Sequence, residues 1–278
     1  MRDPRGPLLL ALGLLAVSLT TDQPVLVLAA LVSSVLLYLA APVAHGTMLR
    51  VAAVSGLLVL ALNPFVAMEG DHVLLAGPSF VVFDLEVTSE EVLYGAVAGM
   101  RLATAIVATS AFLALADPDR LQALASRVAP RSALTVALAA RLVPALRADA
   151  VTLREALLLR GTGTAHGRRA GLRQGAQLVE PLVATSLDRG VGIAEAMAAR
   201  GYGGAFTALP EPPAARADRA AMALGGVLLA LAALLVAGVL PYAIYPIADP
   251  LLEPAAIAVA VLLTAACASA AWALRRPA

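Results

Sequence analysis

The sequence predicts an all-α integral membrane protein with about six transmembrane helices and long cytoplasmic amphipathic helices. Three observations carry that prediction. Of the 278 residues, 60% are hydrophobic and 14% charged, whereas soluble domains average about 45–50% apolar and about 25% charged. Alanine and leucine dominate while aromatics make up 4%, a composition that favours helices over the alternating strands of a barrel. All 20 basic residues are arginine, and they are segregated along the chain.

The apolar runs fall at 7–21, 24–41, 50–68, 92–116, 220–240 and 255–274. A bilayer core about 30 Å thick needs roughly 20 apolar residues per helix. The first two runs are shorter, which implies tilt, interfacial placement or local thinning. The N-terminus resembles a signal peptide, but no small-residue cleavage site precedes Asp22 and a second apolar run follows at once. It reads as a first span that stays attached. TTDQP at 20–24 separates spans one and two, and Pro24 suits the first turn of the second helix. Cys267, the single cysteine, excludes an internal disulfide framework and reads as a small apolar residue.

Arginine placement orients the spans. Segment 62–91 carries Glu69, Asp71, Asp84, Glu86, Glu90 and Glu91 but no arginine, whereas 120–219 holds 14 of the 20. Arginine-rich loops stay cytoplasmic. Arg2 and Arg5 then face inward, 68–91 outward, 117–219 inward and 241–254 outward, and Arg275 and Arg276 close the chain inside. Both termini are thus expected in the cytoplasm of a multi-pass plasma-membrane protein. The expected organisation is 1–116 (N-terminal transmembrane helices), 117–219 (a cytoplasmic region) and 220–278 (C-terminal transmembrane helices). Arg101 lies within the fourth run, where an arginine at a helix centre costs about 2.5–3.5 kcal/mol on insertion scales. It is expected to face protein or water. It is either a packed structural arginine or a contact that fixes helix arrangement or partner docking.

The cytoplasmic region begins at Asp117-Pro118-Asp119, a helix start. After Pro130 a helical pattern runs to Gly161 and contains Pro144, an expected kink. Leu142, Leu146, Ala150, Leu153 and Leu157 recur at helical spacing, with Arg147 and Arg154 on another face. GTGTAHGRRAG interrupts the helix. A second amphipathic element then runs to Gly201, and the proline-rich LPEPPAARADR leads to span five.

The two elements end alike. EALLLRG (Glu155 to Gly161) and EAMAARG (Glu195 to Gly201) share the frame Glu-Ala-three residues-Arg-Gly. A glycine past the last helical residue closes a helix in the left-handed conformation, and an arginine before it meets the negative end of the dipole. Simple capping would account for one such end. Its repetition points further. Arg160 and Arg200 have no acidic residue three or four positions away, and Glu155 and Glu195 sit roughly 140° around the helix. Ala198, Ala199, Gly201, Gly203 and Gly204 leave room for close approach. An unpaired guanidinium with five donors suits an acidic groove, and two such ends suit a partner with two similar grooves.

At these residues the chain resembles the transmembrane T component of energy-coupling factor ABC importers, the cobalt- and vitamin-type transporters. In that family, Arg-Gly motifs, often Ala-Arg-Gly, end two cytoplasmic coupling helices, and each arginine docks on one of two ATPase subunits. The resemblance assigns these roles to Arg160 with Gly161 and to Ala199, Arg200 and Gly201, with Glu155, Glu195 and Arg101 supporting. The second end matches the fuller pattern, including SLDRG; the first reads Leu159-Arg160-Gly161 and departs at its first position. Asp3-Pro4-Arg5, Asn63-Pro64-Phe65, the helix around Arg101 and Arg141-Leu142-Val143-Pro144 are also similar to the family. The resemblance implies a non-catalytic subunit that transmits ATPase movement to a substrate-binding S component in the bilayer. It implies no cofactor and no nucleic-acid partner.

Other classes fit less well. Without lysine, the chain cannot supply the P-loop residue that reaches the β/γ-phosphates. His45, His72 and His166 are scattered, with no metal-ligand spacing. A membrane-embedded lipid or prenyl transferase needs paired acidic motifs for Mg²⁺, and the close cytoplasmic pair Asp117/Asp119 fits a helix start. A self-contained permease would place ionisable residues in several spans, where the sequence places Arg101 alone.

Overall fold

The computed structural model describes residues 3–41, 46–63, 73–79, 84–160, 168–202, 215–239, 241–242 and 253–275. Gly161, Gly203, Gly204, His45, His72 and His166 lie outside them, as do Arg2, Arg276 and the Pro64-Phe65 pair. The chain divides into two compact units, Met1–Leu121 with Pro213–Ala278, and Gln122–Pro212. The N- and C-terminal apolar segments, distant in sequence, therefore build one unit together.

That unit contains α1 (Arg5–Thr20), α2 (Pro24–Ala40), α3 (Gly46–Leu62), α4 (Ser89–Leu115), α8 (Arg216–Val236) and α9 (Pro254–Arg275). The protein is helical, and α4, α8 and α9 are long and apolar enough to cross a membrane. Helices α1 to α3 are apolar but shorter, at 16 or 17 residues. Leu10, Leu14 and Val17 of α1 are buried with Leu26 and Leu37 of α2, Val107 of α4, Leu228 of α8 and Leu263 and Cys267 of α9.

Close backbone approaches set the packing. A Cβ on Gly13 would lie 2.6 Å from Leu228 Cβ, and one on Gly225 would lie 2.6 Å from the Leu9 carbonyl carbon. Small residues let α1 and α8 touch along their backbones, the arrangement that stabilises helix pairs where no hydrophobic effect drives them together. Gly6 opposes Ala221, and the Asp3 N–H donates to Asp218 Oδ2 at 3.1 Å across 215 residues. The offset between partners stays constant, so α1 and α8 run parallel. The buried Asp218 carboxylate thereby receives the chain where α1 begins. Helices α2 and α9 also run parallel, with Arg275 donating to the Leu39 carbonyl at 2.8 Å and Cys267 against Ser33. Helices α3 and α4 are antiparallel. Gly56 meets Gly99, and Asn63 packs on Gly95 while donating through Nδ2 to the Glu91 carbonyl.

One element was not expected from sequence. β1 (Val73–Ser79) and β2 (Asp84–Thr88) form a two-stranded antiparallel hairpin, with Val73 opposite Thr88 and Ser79 opposite Asp84. Sequence reading gave this region as an acidic outer loop. Proline within β1 hid the strand: Pro78 has no N–H to donate, and the register shifts between Ala76 and Ser79. β2 leads directly into α4, whose start is fixed by a capping box. The Glu91 N–H donates to Thr88 Oγ1 at 3.3 Å, and the Thr88 N–H donates to Glu91 Oε2 at 3.1 Å. This places the start at Ser89, ahead of the expected residue 92.

Helix α5 (Pro118–Val128) follows α4. The second unit is dominated by α6 (Pro130–Leu159) and α7 (Arg168–Ala199). Pro144 lies inside α6 and Pro181 inside α7 without ending either helix. The expected stripe of Leu142, Leu146, Ala150, Leu153 and Leu157 is half-buried, while Arg147 and Arg154 are exposed.

Candidate functional site

The two arginine ends belong to the second unit. Arg160 caps α6, with its N–H donating to the Ala156 carbonyl at 3.1 Å. The end of α7 is complete. Gly201 adopts φ +75°, its N–H donates to Ala198 at 3.0 Å, and the Tyr202 N–H reaches back to Met197 at 3.0 Å. These two bonds define a Schellman closure, which requires a left-handed residue at the glycine position. A Cβ on Gly201 would meet nothing within 4 Å. Glycine is therefore required there by backbone conformation, not by space.

Arg160 and Arg200 are both exposed, as are Ala199, Glu155 and Glu195. Among the described residues, neither arginine makes an ion pair. Leu159, beside Arg160, is 90% exposed. Each tip therefore presents a charged, planar donor group, and at α7 the closing bonds already occupy the Met197 and Ala198 carbonyls. Such a group can make bidentate contacts to a carboxylate, but it offers no nucleophile or general base. Among the described residues, no group of three His, Cys, Asp or Glu side chains could hold a metal ion.

Arg101 stands elsewhere, in the apolar unit. Its Nε donates to the Ser18 carbonyl at 3.0 Å. Its Nη2 donates to the Thr21 carbonyl and to Asp22 Oδ1, each at 2.6 Å. These bonds join α4 to the end of α1 and the turn that follows it.

Sequence reading missed the contact that joins the two tipped helices. Arg189 Nη2 on α7 lies 2.9 Å from Asp149 Oδ2 on α6. A signal was present, since Asp149 precedes Arg160 by 11 residues and Arg189 precedes Arg200 by 11. The apolar unit adds a cavity of about 290 Å³ between α2, α3 and α4, lined by Leu31, Ala52, Gly56, Leu57, Gly99 and Ala103 among others.

No curated protein matches the chain. A family model described as cobalt transport protein, CbiQ, matches residues 2–210, a stretch that contains α1 to α7 and both arginine ends. The match covers well over half of the 278 residues, and with the apolar helices of the first unit it makes this chain a membrane transport protein of the CbiQ cobalt transport protein family.

Proposed function

We propose that the chain is the T component of an energy-coupling factor ABC importer. It carries the movement of two ATP-binding cassette subunits to a substrate-binding S component, for uptake of a transition metal or vitamin. It does no chemistry itself. The observation that carries this reading is the pair of exposed arginines, Arg160 and Arg200, without an ion pair among the described residues, at the ends of two long helices held to each other by an ion pair. Those tips are the docking points for the ATPases.

Six spans in the plasma membrane, with both termini cytoplasmic, accord with the helix directions. In an alternating chain, spans one and five run the same way, as do two and six, while three and four oppose. α1 with α8, α2 with α9 and α3 with α4 follow that rule. The 16 residues of α1 and 17 of α2 reach only about 25 Å at 1.5 Å per residue, so the bilayer thins locally or the helices stop short of one face.

The test is affinity purification from native membranes with identification of the associated subunits by mass spectrometry. Two ATPase subunits, or two copies of one, should accompany the wild-type chain. Arg200→Glu and Arg160→Glu should each weaken that association, and the double variant should abolish it while still inserting in the membrane. ATPases retained at wild-type levels by the double variant would remove both residues from docking.

A further inference from the structure

Resting on the coupling role proposed above, we propose that the Asp149–Arg189 pair is the pivot of a symmetric lever. It ties α6 to α7 and gives the two arginine tips equal reach. Arg160 lies 11 residues beyond Asp149 and Arg200 lies 11 beyond Arg189. At 1.5 Å per residue, each tip is about 16 Å along its helix from the crossing. A rotation of about 10° at the pivot therefore moves either tip by about 3 Å, and neither arm has the mechanical advantage.

The pair is built to hold position while permitting rotation. The Asp149 and Arg189 side chains are 28% and 34% exposed, so solvent screens them only in part. Around them the half-buried stripes are mostly aliphatic: Leu146, Ala150 and Leu153 on α6, Leu182 and Ile193 on α7. Such surfaces attract without direction. The hydroxyls of Thr185 and Ser186 are turned onto their own helix, donating to the Pro181 and Leu182 carbonyls. Among the described residues no second ion pair joins α6 to α7. The contact at 2.9 Å is also not aligned as a hydrogen bond, and Arg189 Nη1 is buried without a hydrogen-bond partner. Charge attraction alone falls off gently with angle, whereas an aligned bidentate pair would fix the crossing.

The experiment reads the distance between the arms. Spin labels are placed at Leu158→Cys and Ala194→Cys, and the distance distribution is measured for the chain in nanodiscs and for the whole complex before and after trapping the ATPases with ATP and vanadate. The wild-type pair should give one narrow distribution in the chain alone, and nucleotide should shift it in the complex. Asp149→Asn or Arg189→Gln should at least double its width and abolish the shift. The exchange Asp149→Arg with Arg189→Asp should restore both, which a purely local packing role would not. Single variants with wild-type width and response would overturn the pivot, as would an exchange that fails to rescue. If no ATPase accompanies the wild-type chain, the coupling role fails, yet the width measured on the chain alone still decides whether the pair sets the crossing.

Discussion

Arg101 Nη2 and Asp22 Oδ1 lie 2.6 Å apart, joining the middle of α4 to the turn between α1 and α2. Arg101 comes 12 residues after Ser89, the first residue of α4, so the turn meets α4 about 18 Å below its start. The α1–α2 hairpin therefore stops well short of the N-terminal end of α4. The Asp22 carboxylate and the Ser18 and Thr21 carbonyls give the guanidinium partners within the protein, which makes an arginine tolerable in the middle of an apolar helix.

Arg101→Met should lower stability by about 2–4 kcal/mol, because the carbonyls of Ser18 and Thr21 lose their donor. Arg101→Lys should recover only part of this, since an ammonium cannot reach three acceptors as a planar fork does. Thermal unfolding of the detergent-solubilised protein would measure both. A Met variant that melts with the wild type would mean that the turn is held by packing alone.

Adjacent glycines on α8 should respond oppositely to the same change. Gly225→Ala puts a methyl 2.6 Å from Leu9 and should cost about 1–3 kcal/mol by overpacking. Gly226 has nothing within 4 Å of a built Cβ, and Gly226→Ala should be neutral or stabilise by up to about 1 kcal/mol. Denaturation midpoints of the two variants compared with wild type test the α1–α8 contact; equal behaviour would argue against it.

Gly201→Ala should strain the end of α7 by about 1–2 kcal/mol, because an alanine at φ +75° brings Cβ against the following carbonyl. ATPase co-purification should fall several-fold without loss of membrane insertion. Gly201→Asn should be milder, since asparagine tolerates this region. An alanine variant that binds the ATPases as tightly as wild type would show that the Schellman closure is dispensable for docking.

Cys267 is 0% exposed. A maleimide should leave it unlabelled in the folded protein and label it only after unfolding. Rapid labelling under native conditions would mean that α9 does not pack on α2 as described.

Much of this was legible in the chain. The apolar runs, the arginine asymmetry and the repeated Arg-Gly ends are local properties, written in composition and in spacings of a few residues. Helix type and the exposure of Arg160 and Arg200 follow from these, because an arginine between an apolar residue and Gly at a helix end has no local partner. Helix starts were less legible. The Thr88–Glu91 capping box was present in the letters but was read as loop, and Pro78 concealed the β1–β2 hairpin.

What the sequence by itself determined is the class of molecule: an apolar helical membrane protein with a second, arginine-rich helical stretch and two arginine tips. Tertiary structure alone decided the pairings. Asp22 found Arg101 across 79 residues, Asp218 found Asp3 across 215, and Asp149 met Arg189 on a separate helix. The physical reason is that hydropathy and capping act within a turn or two of chain. A charge buried far from any local counter-charge is satisfied by whichever helix the packing of small residues brings beside it.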